Sequence, residues 1–330
     1  MVCPVDLILY IIALIASLLV VIKTADIFVD NLVEIGKAKG ISQVILGVTA
    51  SAIGTSLSEF GSAMIAVLSG SPDLGVGVVI GSNIWNIAGI LGISAFIAGV
   101  IKTGKEEIKR DGLMTLLTAL ILLFFMLFMD SITALAGIIL ISVYVVYFLI
   151  LIKKQKEHGI KDNRRGDGDD NDNRVTVKSH NLRKNVFMVL LSVTGLIVGC
   201  RIMVWSGVEI AQIMNIPTMI IGLFALGIGT SAPELVVTLS SAMKKLHKLS
   251  MGTVLGSNVF NILIGIGVPS LFVAIPVEKL SVTFDAPVMV FVTSFLLIMV
   301  YRDMKLTRWA GLALIAIYIV YVMVRIYLSL

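Results

Sequence analysis

Charge is scarce in this sequence. Only 14% of its 330 residues are Asp, Glu, Lys or Arg, too few to coat the surface of a soluble protein of that size. With 58% hydrophobic residues and a mean hydropathy of +1.02, the chain belongs in a membrane. Cysteine is nearly absent, and Cys3 and Cys200 form neither a CxxC nor a zinc-ligand pattern, which excludes a disulfide framework and a metal finger. No basic stripe interleaved with aromatics exists, so the net charge of +5 does not indicate nucleic acid. No nucleophile and base pair lies within the apolar runs, which argues against an enzyme. Nothing implies a cofactor or an obligate protein partner, and the lipid bilayer is the one partner that the composition requires. No basic stretch precedes the first apolar run, which reads as a retained span rather than a cleaved signal peptide.

Apolar runs long enough to cross a bilayer, about 20 residues each, fall near 7–29, 43–68, 74–100, 112–129 and 132–152. A second set lies near 186–206, 216–243, 250–276, 285–301 and 309–328. The expected class is an all-α membrane protein with ten transmembrane helices, five in residues 1–152 and five in 186–330, joined by a hydrophilic linker over 153–185. Alternate loops then face opposite sides, and 22 of the 26 basic residues share one side. They include Lys37, Lys39, Lys102, Lys245, Lys248, Lys305 and Arg308, whereas the other side carries Lys279 and Arg325. By the positive-inside tendency the linker is cytoplasmic and both termini lie outside. The linker core, Asp162 to Arg174, has no apolar residue and reads as disordered. Its Asp167, Asp169, Asn171 and Asp172 supply oxygens, but the glycine and distal glutamate of an EF-hand loop are missing.

The chain resembles itself at an offset of 175 residues: ISQVILGVTASAIGTSLSEF from Ile41 lies against IPTMIIGLFALGIGTSAPEL from Ile216 without a gap. The same offset matches Gly81-Ser82-Asn83-Ile84-Trp85-Asn86 with Gly256-Ser257-Asn258-Val259-Phe260-Asn261. Five spans separate matching positions, an odd number, so the two halves are expected to be inverted repeats. Matching loops have opposite basic content, as inversion requires: Lys37 and Lys39 face a stretch, 207–215, without Lys or Arg, and the turn at 69–73 faces Lys244, Lys245 and Lys248. Inverted repeats are common in secondary transporters, whose site lies between the repeats near mid-membrane.

Glu59 and Glu234, 175 residues apart, read as the acids set deep in apolar segments. An ionised carboxylate at mid-bilayer costs several kcal/mol, so such residues persist where they face a polar cavity. Thr55 and Ser56 precede Glu59 by four and three residues, and Thr230 and Ser231 do the same for Glu234, which places each set on one helical face. On the following spans Ser82 and Asn86, and Ser257 and Asn261, stand at i and i+4. Singly, such hydroxyls more often bond back to their own helix; as a symmetric set around two carboxylates, cation coordination is the better reading. Pro233 offers no N–H to the carbonyl of Gly229, and glycines at 227 and 229 loosen the same turn. Hard oxygen donors without histidine or thiolate favour Ca²⁺, Na⁺ or Mg²⁺, with Ca²⁺ leading because two carboxylates balance it and Mg²⁺ dehydrates reluctantly.

The paired motifs GTSLSE with GSNIWN and GTSAPE with GSNVFN resemble the two alpha-repeats of the cation/calcium antiporter superfamily, most closely its prokaryotic sodium/calcium exchangers. The resemblance implies exchange of Na⁺ for Ca²⁺ by alternating access, with the first and sixth spans sliding across the rest. It implies Glu59 and Glu234 as central calcium ligands that also serve sodium, oxygens from Thr55, Ser56, Ser82, Thr230, Ser231 and Ser257, carbonyls of Ala52 and Gly227, and Asn86 and Asn261 at the centre. Ser58 stands where members commonly have proline, and Asn261 where several carry aspartate, which removes the acid that potassium-dependent relatives use. A proton-coupled antiporter of Ca²⁺ or another divalent cation is the alternative, although those relatives carry a GNA-type motif. A cation channel with a glutamate selectivity ring is a third reading.

Overall fold

The structure, a computed structural model, describes residues 4–38, 54–105, 108–164, 182–301 and 303–329. The described chain is mostly helix, because a lipid interior offers the backbone no hydrogen-bond partner and helices satisfy it internally. In order these are α1 (Pro4–Ala38), α2 (Leu57–Leu68), α3 (Pro72–Ala98), α4 (Ile108–Phe128), α5 (Ala134–Arg164) and α6 (Leu182–Met214). There follow α7 (Thr218–Thr230), α8 (Ala232–Met243), α9 (His247–Ser270), α10 (Ser281–Tyr301) and α11 (Arg308–Ser329). Eight of these are long and apolar enough to cross a membrane, and α7 with α8, bent by 46°, makes a ninth if taken as one span. The remaining expected span, 43–68, is described only from residue 54, where α2 is a shorter apolar helix.

Burial separates a centre from a flank. In their most apolar stretches α3 and α9 are 89% and 83% buried, against 11% and 22% for α1 and α6, which lie side by side along their length. At 35 residues α1 is about 50 Å long, more than the ~30 Å hydrocarbon core, so it tilts or projects. Small residues bring the central backbones together: a carbon added at Gly77 would lie 2.8 Å from the carbonyl oxygen of Met219, and one at Gly81 only 2.1 Å from that of Leu223. The Gly77 and Gly81 pair, four apart on α3, thus seats that helix against α7 in the manner of small-residue membrane crossings.

Two short antiparallel ribbons close the ends of the bundle. β1 (Val100–Lys102) pairs with β4 (Lys305–Thr307), and β2 (Ser131–Ile132) pairs with β3 (Ile275–Pro276). Since β1 precedes α4 and β2 follows it, the ribbons stand at opposite ends of that helix. At the 175-residue offset β1 matches β3 and β2 matches β4.

Helix enters both ends of the hydrophilic segment 153–185, since α5 continues to Arg164 and α6 begins at Leu182; Lys, Gln and Glu after residue 152 extend an existing helix at little cost. The rest of the linker, with Asp167, Asp169, Asn171 and Asp172, lies outside the described residues, as do Cys3, Lys39 and Ala52. Glu59 and Glu234 are not alone in depth: Asp111 and Asp285 are 5% and 0% exposed, each within a π-helical turn at the head of α4 or α10. Arg325 is likewise no loop charge but a fully buried side chain of α11. These groups neutralise one another. Arg110 grips Asp111 at 2.6 and 2.7 Å, and the Tyr147 hydroxyl donates to the same carboxylate at 3.1 Å. Arg325 donates to Asp285 at 3.0 Å and to Glu278 at 3.0 Å, and the Tyr321 hydroxyl reaches Asp285 at 2.9 Å.

Arg325→Met leaves Asp285 buried without its cation and costs about 3 kcal/mol or more, read as a lowered melting temperature of the purified protein in detergent. In the same assay Gly81→Ala costs about 1–3 kcal/mol through backbone overlap. Gly252→Ala, where an added carbon meets nothing within 4 Å, leaves stability unchanged or slightly raised.

Candidate cation-binding site

The two carboxylates are mounted in the same way. A turn at Thr55 and Ser56 precedes α2, and Ser231 separates α7 from α8. Ser56 (φ −91°, ψ 7°) and Ser231 (φ −82°, ψ 12°) share a conformation in the sparsely populated bridge region, which interrupts the helical path. Glu59 and Glu234 then fall in the first turn of α2 and α8, where the positive end of the helix dipole favours a negative charge. Pro233 is well suited to that first turn, where its missing N–H has no helical acceptor to lose. α2 begins in the same way with Ser58 in place of the proline. The Ser58 hydroxyl lies 2.9 Å from Glu59 Oε2, 3.0 Å from the carbonyl oxygen of Thr230 and 3.3 Å from that of Thr55, and donates to one of them at a time.

Helical spacing grouped Ser56 with Glu59 and Ser231 with Glu234, and here the structure corrects it. Because the chain turns just ahead of each glutamate, the hydroxyls cross to the other half. Ser56 Oγ donates to Glu234 Oε1 at 3.1 Å, and Ser231 Oγ donates to Glu59 Oε1 at 2.8 Å. Glu234 Oε1 also accepts from Ser257 Oγ at 3.3 Å, and the Thr55 and Ser257 hydroxyls are 3.2 Å apart. Both glutamates, with Ser56, Ser58, Ser82, Ser231 and Ser257, are fully buried.

The other expected residues take varied positions. Ser82 Oγ donates to the carbonyl oxygen of Gly227 at 3.1 Å, which ties α3 to the turn before Ser231. Thr230 turns its hydroxyl back to the carbonyl of Leu226 at 2.8 Å and faces the site through its own carbonyl instead. Asn86 Nδ2 donates to Asn258 Oδ1 at 3.0 Å, and Asn258 Nδ2 to the carbonyl of Asn83 at 3.0 Å. Asn83 and Asn258 escape an i, i+4 argument because they sit one residue past Ser82 and Ser257, yet their recurrence at the common offset marks them as a pair. Among the described residues, Glu234 Oε2, Asn86 Oδ1 and both polar atoms of Asn261 are buried and make no hydrogen bond within the protein.

Orphaned buried acceptors are costly, and here they cluster with two carboxylates and several hydroxyls. Carboxylates, hydroxyls and amide oxygens make this donor set one of hard oxygens, two of its groups acidic. Such a set fits an alkali or alkaline-earth ion far better than a soft transition metal.

Comparison with known proteins accords with this chemistry. The sodium/calcium exchanger protein family matches residues 9–153 and 184–327, leaving out most of the hydrophilic linker. The sodium/calcium exchanger MaX1 of Methanosarcina acetivorans is 29% identical, over 96% of this chain and 98% of its own. The inner membrane protein YrbG of Escherichia coli is also 29% identical, over 96% of each chain. A solved structure of the sodium-calcium exchanger NCX_Mj, soaked with 10 mM Na⁺ and zero Ca²⁺, is similar with a TM-score of 0.63 and 26% identity, covering 96% of this chain and 99% of that one. Matched across both halves in sequence and along nearly its whole length in fold, the chain belongs to the sodium/calcium exchanger protein family of multi-pass membrane antiporters.

Proposed function

We propose that the protein exchanges Na⁺ for Ca²⁺ by alternating access, with one Ca²⁺ or several Na⁺ occupying the Glu59 and Glu234 pair in turn. The observation that carries this reading is the reciprocal bonding of Ser56 to Glu234 and Ser231 to Glu59 inside a fully buried oxygen cluster. Hydroxyls suit such a centre because they both donate and accept. Toward a bare carboxylate they donate, and by rotating they offer a lone pair to an arriving cation. In this reading Ser56, Ser231, Thr55, Ser257 and Ser58 act so, Asn86 and Asn261 supply amide oxygens, and Ser82 and Thr230 serve by holding or presenting backbone carbonyls. The carbonyls of Gly227 and Ala52 complete the set, Ala52 by its sequence position alone.

Exchange follows from charge. Two carboxylates balance one Ca²⁺ or a small number of Na⁺, whereas the empty pair carries an uncompensated charge that resists crossing a low-dielectric barrier. The same reading makes the protein two inverted five-helix halves, 1–152 and 186–330, with ten helices in all, both termini outside and the linker cytoplasmic, exporting Ca²⁺ down the inward Na⁺ gradient. The strand pairing supports inversion, since strands that match at the repeat offset stand at opposite ends of the bundle. The low burial of α1 and α6 supports their role as the sliding pair. An apolar cavity of about 250 Å³ among Phe28, Phe60, Leu196 and Cys200, on the seam between that pair and α2, leaves room for the slide.

In reconstituted vesicles an imposed Na⁺ gradient drives ⁴⁵Ca²⁺ uptake, and Glu59→Gln and Glu234→Gln each abolish it. Retained transport in either variant sinks the site, and uptake driven by a pH gradient alone would make the coupling ion a proton. Ser58→Pro remains folded, with a melting temperature close to that of the parent, because residue 58 lies in the first turn of α2 where backbone N–H groups lack helical acceptors. An unfolded Ser58→Pro protein would mean that the two breaks are held in different ways.

A further inference from the structure

Asn83 and Asn258 stand outside the proposed ligand set, yet each follows directly on a serine of that set, and the two match at the 175-residue offset. Two equivalent copies would use them alike, and they are not so used. Asn258 reaches from α9 across to α3, where its Nδ2 donates to the backbone carbonyl of Asn83 at 3.0 Å and its Oδ1 accepts from Asn86 Nδ2 at 3.0 Å. Asn83 instead donates through its own Nδ2 to the carbonyl of Val79, four residues back on the same helix, at 2.7 Å.

This chain of bonds fixes which way an amide points. A backbone carbonyl only accepts, so Asn258 must turn its nitrogen to Asn83. Its oxygen then faces Asn86 and also only accepts, so Asn86 must turn its own nitrogen to Asn258. The Asn86 oxygen is left on the far side of its amide, buried and without a hydrogen bond among the described residues. Turning Asn86 by half a rotation would set two oxygens against each other and forfeit the bond, which is costly because both side chains are buried.

Asn261, the match of Asn86, has no such guide. Asn83 has its nitrogen committed to Val79, and neither Asn83 Oδ1 nor either polar atom of Asn261 is hydrogen-bonded among the described residues. The backbones differ at the same place. Asn86 stands in the π-helical turn Trp85–Leu91, whereas α9 is α-helical through Asn261 to Leu263; such π turns inside helices are frequent at functional sites. Orientation matters here because an amide meets a cation favourably through its oxygen and unfavourably through its NH₂ group.

We propose that Asn258 is a positioning residue that presents the Asn86 oxygen to the bound cation, and that Asn83, its match, has no such role for Asn261. The inference rests on the Na⁺/Ca²⁺ reading of the centre and adds to it that the two halves contribute unequally: one central amide is preset by the opposite half and the other is not. Partners that orient a metal ligand in this way are worth about tenfold to a hundredfold in affinity.

Equilibrium binding of ⁴⁵Ca²⁺ to the purified protein tests this. Asn258→Ala weakens binding about tenfold or more, whereas Asn83→Ala, which leaves the Asn83 carbonyl in place, weakens it far less. A carboxylate offers oxygen at either end and needs no guide, so in an Asn86→Asp background Asn258→Ala brings no further loss; a general packing defect would weaken both backgrounds alike. Asn258→Leu, closer to asparagine in volume, is read in the same way if the alanine variant aggregates. Parent-like binding by Asn258→Ala, equal losses from Asn83→Ala and Asn258→Ala, or an undiminished loss in the Asn86→Asp background would each overturn the proposal while leaving the exchange reading intact. That reading fails separately: a parent that binds no Ca²⁺, or Glu59→Gln binding as tightly as the parent, would remove the site and this proposal together.

Discussion

Everything central in this molecule answers to one electrostatic fact: Glu59 and Glu234 have no contact with solvent. A carboxylate in such surroundings must be neutralised, solvated by donors or supplied with a cation. The fold provides solvation without a fixed positive charge. Hydroxyls from the opposite half point at each carboxylate, helix dipoles begin beneath them, and every described side chain hydrogen-bonded to the pair is a neutral hydroxyl. A lysine or arginine here would neutralise the pair permanently and leave no reason for a metal ion to bind. The two other buried acids, Asp111 and Asp285, show the contrast, since each is held by its own arginine. The described residues thus contain two kinds of buried acid, one kind locked by internal cations and the other, in the proposed function, left for cations that come and go.

The backbone makes the difference possible. At Ser56 and Ser231 the chain leaves the helical path for a single residue, which turns hydroxyls away from their own helix and across the interface. A continuous helix would keep Ser56 beside Glu59 and take that donor from the other half's carboxylate. The breaks survive in a membrane because they face protein and not lipid. Ser56 and Ser231 are fully buried, and close backbone contact at Gly77, Gly81 and Gly222 seats α3 against α7.

Much of the architecture was legible in the sequence because hydropathy measures a bulk property. A span must be about 20 apolar residues long whatever its neighbours, so the approximate limits of the long helices could be drawn before any contact was known. The offset of 175 residues was equally plain, and with it the pairing of Glu59 with Glu234. What the sequence hid were relations between helices. Spacing along one helix cannot say that Ser231 bonds to Glu59, nor that Thr230 turns its hydroxyl back on its own helix. Asp111 and Asp285 were read as lying at span ends because a hydropathy window ends at a charge. Their burial depends on π-helical turns and on Arg110, Arg325, Tyr147 and Tyr321, none of which a window can register.

The two ribbons at the ends of the bundle pair by a two-fold rule. β1 does not pair with its positional match β3 but with β4, the match of β2, while β2 pairs with β3. That is the rule by which two identical chains related by a two-fold axis join: element one of each copy meets element two of the other. A half-length chain carrying one strand of each type could make both ribbons with a second copy of itself, using the contacts seen here. If the halves are inverted repeats as proposed, the ribbons describe a homodimer whose subunits have since been joined end to end, and the hydrophilic segment that the family match passes over is the join.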